Sequence, residues 1–152
     1  MSQYKHVLLA LDLSENTPQM VLETKYIIEK FNAKLSIVHV FDLIPMAYQT
    51  DFSLPSENAE HEEAIKSEAQ QKIYAVAKLL NVPKEACYLR TGAIKPAITK
   101  LAQEIAADLI IIGSNSHHGI EKLLSKLGNA ILSIAPCSVL VIKLKDNSKN
   151  EK

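Results

Sequence analysis

Two polar segments follow apolar runs, and they carry the residue types best suited to chemistry. Asp12 stands directly after the run at residues 7–11 (VLLAL), and Gly113-Ser-Asn-Ser-His-His-Gly119 follows the run at residues 109–112 (LIII). A carboxylate at the end of a buried strand can accept from a sugar hydroxyl or an adenine amine. It can equally cap a helix or fix its own turn, and both uses stay open for Asp12. The second segment leaves a strand for a helix, so its backbone N–H groups and the helix N-terminus can hold an anion. Ser114, Asn115 and Ser116 add side-chain donors. Gly, Asn and Ser are also what an ordinary strand-to-helix turn uses, and the loop by itself favours that plainer reading. His117-His118 has the atoms to ligate zinc, but adjacent side chains point apart and no third ligand is evident, so a solvated pair is expected. His39 falls inside an apolar run, where a hydrogen-bonded core histidine is expected. The acidic group Glu57, Glu60, Glu62 and Glu63 reads as complementing the positive end of a helix.

Several catalytic signatures are missing. The glycines are Gly92, Gly113, Gly119 and Gly128, and they form no GxGxxG dinucleotide fingerprint. There is no GxxxxGK[ST] phosphate loop and no GxSxG elbow. The segment from His61 starts like a zinc-protease helix but has Ile65 where the second histidine belongs. Lys plus Arg number 17 and Asp plus Glu number 17, so a net charge of zero gives little long-range pull on a phosphate backbone, and nucleic acid is not the expected partner. No apolar run approaches the ~18 residues that span a bilayer, and residues 7–11 are too few for a signal-peptide core. A cytoplasmic protein without membrane partners is expected. Cys87 and Cys137 form no CxxC motif and read as buried thiols rather than a disulfide.

The elements that must position these residues alternate strand and helix. Strands are expected at residues 7–11, 35–40, 86–90, 109–112 and 138–144. A first helix is expected from Thr17 as N-cap and Pro18, burying Met20, Thr24, Ile27, Ile28 and Phe31. After a long loop at residues 41–55, Ser56 is the expected cap of a second helix with Ile65, Ala69, Ile73, Val76 and Leu80 inward. Pro96 opens a third helix with Ala97, Ile98, Leu101, Ala102 and Ile105 inward, and Ile120, Leu123, Leu124, Leu127, Ile131 and Ile134 mark a fourth. At 47% hydrophobic and 22% charged residues, the 152-residue chain suits one globular domain, with a polar tail at 145–152. This alternation implies a parallel sheet with helices on both faces. Where such a sheet reverses its strand order, a crevice opens at the carboxyl strand ends. The polar loops after the first and fourth strands are the expected place for a ligand.

The residues resemble a known family. Tyr4-Lys-His-Val-Leu-Leu-Ala-Leu-Asp-Leu-Ser14 is similar to the opening strand of universal stress proteins, and Ala33-Lys-Leu-Ser-Ile-Val-His-Val40 to their second strand. Ala107-Asp-Leu-Ile-Ile-Ile-Gly-Ser114 resembles the fourth, and Ala135-Pro-Cys-Ser-Val-Leu-Val-Ile142 the closing one. The resemblance runs from Tyr4 to Lys143 and is nearest the universal stress protein A branch. It implies a single five-stranded parallel sheet of order 3-2-1-4-5, adenine nucleotide alpha hydrolase-like, in a domain at 1–144. It also implies a homodimer, taken here to join through the strand from Ser138 to Leu144.

For one branch the resemblance implies ATP at the switch point, held by G-x-x-G and a later G-[S/T]. Here Gly113 keeps the first glycine, the second falls at Ser116, and the later pair falls at Ser125-Lys126, while Gly119 matches a common family glycine. Serine restores a Cβ where glycine allows close approach, though Ser116, Ser125 and Lys126 can still serve phosphate oxygens. The implied nucleotide contacts are Ala10, Leu11, Asp12, Val40, Ile112, Gly113, Ser114, Ser116, Gly119, Ser125 and Lys126, with no catalytic residue and no metal. The leading expectation is a dimeric stress-response regulatory or protective factor with a weak or vestigial nucleotide crevice, no required cofactor and an unidentified protein partner. The alternative is an ATP or adenine-nucleotide sensor that changes partner binding. A slow nucleotide hydrolase is a third reading, supported by no second positioned carboxylate or base.

Overall fold

Strand β1, His6–Ala10, alternates its side chains between two apolar layers, as a strand buried on both faces must. Val7 and Leu9, with Leu11 just beyond, join one layer; Leu8 and Ala10 join the other. The structure is a computed structural model that describes residues 3–14, 16–41, 55–114 and 134–144, with backbone alone for 55–59. The other strands are β2 Lys34–Phe41, β3 Cys87–Thr91, β4 Leu109–Gly113 and β5 Ser138–Ile142. All pairings are parallel, in the order β3-β2-β1-β4-β5, with Leu9 in register with both Ile37 and Ile111. The expected strand order is therefore the observed one.

Three helices of the described residues cover the sheet. Helices α1, Thr17–Phe31, and α2, Pro55–Leu79, lie on the face of Val7 and Leu9, supplying Met20, Ile73, Val76 and Ala77 to that layer. Helix α3, Ile94–Glu104, lies on the opposite face with Ile98, Leu101 and Ala102. Crossovers of one hand put the β1–β2 and β2–β3 helices on one side and the β3–β4 helix on the other. That change of side creates the switch point between β1 and β4.

The helix starts differ from expectation. Asn16, not Thr17, is the N-cap of α1; Thr17 is the first helical residue and its Oγ1 donates to the Ser14 carbonyl at 2.7 Å. Helix α2 begins at Pro55, one residue before the expected cap Ser56, because a first-turn residue loses nothing by lacking an N–H. For the same reason Pro96 lies within the first turn of α3, which Ile94 opens. Strand β3 starts at Cys87 because Lys84–Ala86 form a 3-10 turn. Strand β5 ends at Ile142, short of Leu144.

Cys87 and Cys137 are free and half-buried, not fully buried as expected. Burial pushes both thiols up, with Glu85 adding to the effect at Cys87 and Asp108 at Cys137. Residues 42–54 of the long loop, the fourth helix up to residue 133, the His117-His118 pair and the tail at 145–152 lie outside the described residues; Ile134, the last residue that marks the fourth helix, is helical and exposed.

Candidate functional site

The crevice opens at the carboxyl ends of β1, β2 and β4. Its cavity volume is about 350 Å3, within the range of small-molecule sites. Strand parity explains its two walls. Met20, Leu11 and Leu144 come from the layer under α1, while Val38, Val40, Ile98 and Ile112 come from the layer under α3. Ala10, Asp12, His39, Phe41, Ile94 and Gly113 complete the lining. Apolar walls with few polar groups suit a flat ring better than an extended polyanion.

The turn after β1 is held on several sides. The Leu11 amide donates to the Val38 carbonyl at 2.9 Å, and His39 Nδ1 lies 2.7 Å from the Leu11 carbonyl oxygen. A carbonyl can only accept, so Nδ1 carries the proton. Burial pulls the His39 imidazole below its ordinary pKa, against the smaller opposing effects of the Leu11 carbonyl and the Asp12 carboxylate. Beyond Leu11, the exposed Asp12 accepts the Ser14 amide on Oδ1 at 3.0 Å. Asp12 thus fixes its own turn, and it also lines the crevice. Leu13 adopts the left-handed backbone at φ 59.

On the β4 side, Gly113 answers a close approach. A Cβ there would lie 2.8 Å from Leu144 Cδ1 and 3.0 Å from Met20 Sδ. Ser114, 3% exposed, does not line the cavity. Its amide donates to the Ile142 carbonyl at 2.8 Å, and its Oγ accepts the Leu144 amide at 2.9 Å.

Of the residues singled out in the sequence, Ala10, Leu11, Asp12, Val40, Ile112 and Gly113 come together around the cavity. Ser114 is turned into the β4–β5 junction instead. Ser116, Gly119, Ser125 and Lys126 lie outside the described residues. Sequence reasoning passed over Met20, Val38, Phe41, Ile94, Ile98 and Leu144 as crevice residues, and it read His39 only as a core residue. His39 is hydrogen-bonded as expected, but it also faces the crevice. Its place one residue before Val40, at the end of a strand beside β1, was the available signal.

The model for the universal stress protein family matches residues 3–143. The chain belongs to the universal stress protein family. It is 36% identical over 143 residues to universal stress protein A homolog 1 of Coxiella burnetii, covering 94% of this chain and 99% of that one. Among solved structures it is similar to hypothetical protein MJ0577, whose biochemical function was assigned from structure, with a TM-score of 0.76, 22% identity and coverage of 95% and 98% of the two chains. A universal stress protein solved in complex with cAMP gives a TM-score of 0.56 at 24% identity, covering 91% and 96%. The fold is the adenine nucleotide alpha hydrolase-like arrangement that the resemblance implied.

Proposed function

We propose that this universal stress protein is a cytoplasmic, dimeric stress-response regulatory or protective factor whose switch-point crevice holds an adenine nucleotide weakly. The observation that carries the reading is the crevice: a cavity of about 350 Å3 between β1 and β4, apolar on both walls, with the Asp12 carboxylate on its lining. An adenine ring would insert between the walls, and Asp12 would accept from a ribose hydroxyl or the exocyclic amine. Ala10, Leu11, Val40, Ile112 and Gly113 would touch the nucleoside. Ser116, Gly119, Ser125 and Lys126 would serve the phosphates. Two serines in place of family glycines make that contact weak, and Ser114 is already engaged by Leu144. The family domain is placed at 1–144, with 145–152 as a tail.

Among the described residues no helix is long and apolar enough to cross a membrane, and the chain's net charge is zero. A protein partner therefore fits the regulatory role better than a lipid surface or nucleic acid. The complex of a related fold with cAMP supports a second reading, in which an adenine nucleotide in the crevice changes partner binding.

Denaturing the pure protein and reading absorbance at 260 nm tests for nucleotide carried through purification, and none in stoichiometric amount is expected. Isothermal titration with ATP and with cAMP should give dissociation constants above about 10 μM, that is, binding weaker than roughly −7 kcal/mol. Asp12→Ala should weaken whatever binding is seen. A dissociation constant below that limit overturns the weak-binding reading. An unchanged affinity in Asp12→Ala removes Asp12 from the site.

A further inference from the structure

The strained turn after β1 needs an external anchor. A non-glycine residue in the left-handed region, as Leu13 is at φ 59, persists only where its surroundings over-determine it. Within the turn, Asp12 Oδ1 takes the Ser14 amide, and the Ser14 carbonyl takes Thr17 N at 3.1 Å and Thr17 Oγ1 at 2.7 Å. These bonds tie the turn to itself and to α1, but not to the sheet. Among the described residues, two bonds tie it to β2: Leu11 N to the Val38 carbonyl and His39 Nδ1 to the Leu11 carbonyl. The second comes from a side chain that also lines the crevice.

We propose that His39 is a positioning residue of the crevice: by donating its Nδ1–H to the Leu11 carbonyl, it sets the turn that presents the Asp12 carboxylate to the cavity. The ring is itself held. Phe41, two residues on along the same strand face, meets it edge to face with centroids 5.0 Å apart and planes at 83°. The charged groups acting on His39 are Asp12 on the turn and Lys72 on α2, which act in opposite directions. The donor atom matters, not the ring. An asparagine amide sits the same number of bonds from Cα as Nδ1, so it can make the same bond to Leu11.

The proposal needs the nucleotide reading only for its ligand arm. Amide hydrogen exchange is to be compared in the parent protein, His39→Phe and His39→Asn. In His39→Phe the Ser14 amide should exchange about tenfold faster, the scale of one lost hydrogen bond, while the Leu9 and Ile37 amides in the strands stay as they were. In His39→Asn the Ser14 amide should remain protected. Titration with cAMP should follow the same order, with affinity about tenfold lower in His39→Phe and restored in His39→Asn. Unchanged Ser14 exchange in His39→Phe overturns the proposal. So does loss of Ser14 protection in His39→Asn, which decides the matter even if the phenylalanine variant does not fold. A parent protein that ignores cAMP counts against the crevice reading alone, and the exchange result still decides the role of His39.

Discussion

The Leu144 amide donates to Ser114 Oγ across 2.9 Å, so the residue after β4 holds the chain just after β5. The bond is buried, and Leu144 in turn walls the crevice. Ser114→Ala leaves the Leu144 N–H without this acceptor. A buried donor stripped of its partner costs about 1–3 kcal/mol. Urea unfolding of the variant should show a lower midpoint at an unchanged slope. An unchanged midpoint would mean that water replaces the hydroxyl there without loss.

Gly113→Ala should destabilise the protein and narrow the crevice together. The added methyl meets Leu144 Cδ1 at 2.8 Å and Met20 Sδ at 3.0 Å, closer than carbon and sulfur atoms settle. Overpacking of this kind costs about 1–3 kcal/mol. Leu144→Ala makes room for the methyl, so the double variant should lose less than the sum of the two single losses. Additive losses in denaturant titration would place the strain elsewhere.

Acid should weaken the fold through two histidines. His6 lies below its ordinary pKa because of burial and Lys34, against opposing pulls from the Ile105 carbonyl and Asp108; His39 is lowered chiefly by burial. His6 Nε2 is also paired with the buried Ser36 hydroxyl at 2.8 Å. Unfolded imidazoles take up protons near the ordinary value of 6.5, where the folded ones still resist. The unfolded state therefore binds more protons as pH falls below that value, and stability rises with pH across the same window. The contribution is complete above 6.5 and is lost as pH falls through the lowered folded values. The urea midpoint should drop between about pH 7.5 and pH 5.5, and less so in a variant with both His6→Asn and His39→Asn. Equal drops in parent and variant would assign the acid sensitivity to other groups.

Strand β5 has β4 on one side and is the last strand of the sheet. The Ile142 carbonyl accepts from Ser114, so residues of even number face β4 and Val139 and Val141 turn their N–H and C=O groups to the edge, which no other strand among the described residues pairs. An uncharged open edge invites another strand, and pairing with a second copy closes it around a two-fold axis. Val141→Pro removes an outward donor without touching the β4 ladder. Light scattering should give a dimer for the parent and a monomer or aggregate for the variant. A well-folded dimer in Val141→Pro would put the interface on another surface.

Strands and helices were legible in the sequence because their signals are local. The short unbroken apolar runs around Leu9 and Ile111 are those expected of strands covered on both faces, and Met20 with Thr24 repeats at the pitch of a helix with one buried side. The strand order came from the family resemblance, since parity and periodicity say nothing about which strand lies beside which. Asp12 and Gly113 were legible as crevice residues because both follow directly on the apolar runs at 7–11 and 109–112. Tertiary structure alone decided the rest. His39 reaches the Leu11 carbonyl only because Ala10 is in register with Val38, and no pattern within β2 encodes that pairing. Gly113 looks like a turn glycine in sequence, yet its lack of a Cβ is required by Leu144, which the β4–β5 register brings against it. Ser114 looked like a ligand donor for the same reason: its hydroxyl oxygen is engaged by the backbone amide of Leu144, which the chain supplies just beyond β5. Local propensity reaches about one helical turn along the chain, whereas the crevice is assembled by crossovers and strand register, which depend on how the whole sheet packs.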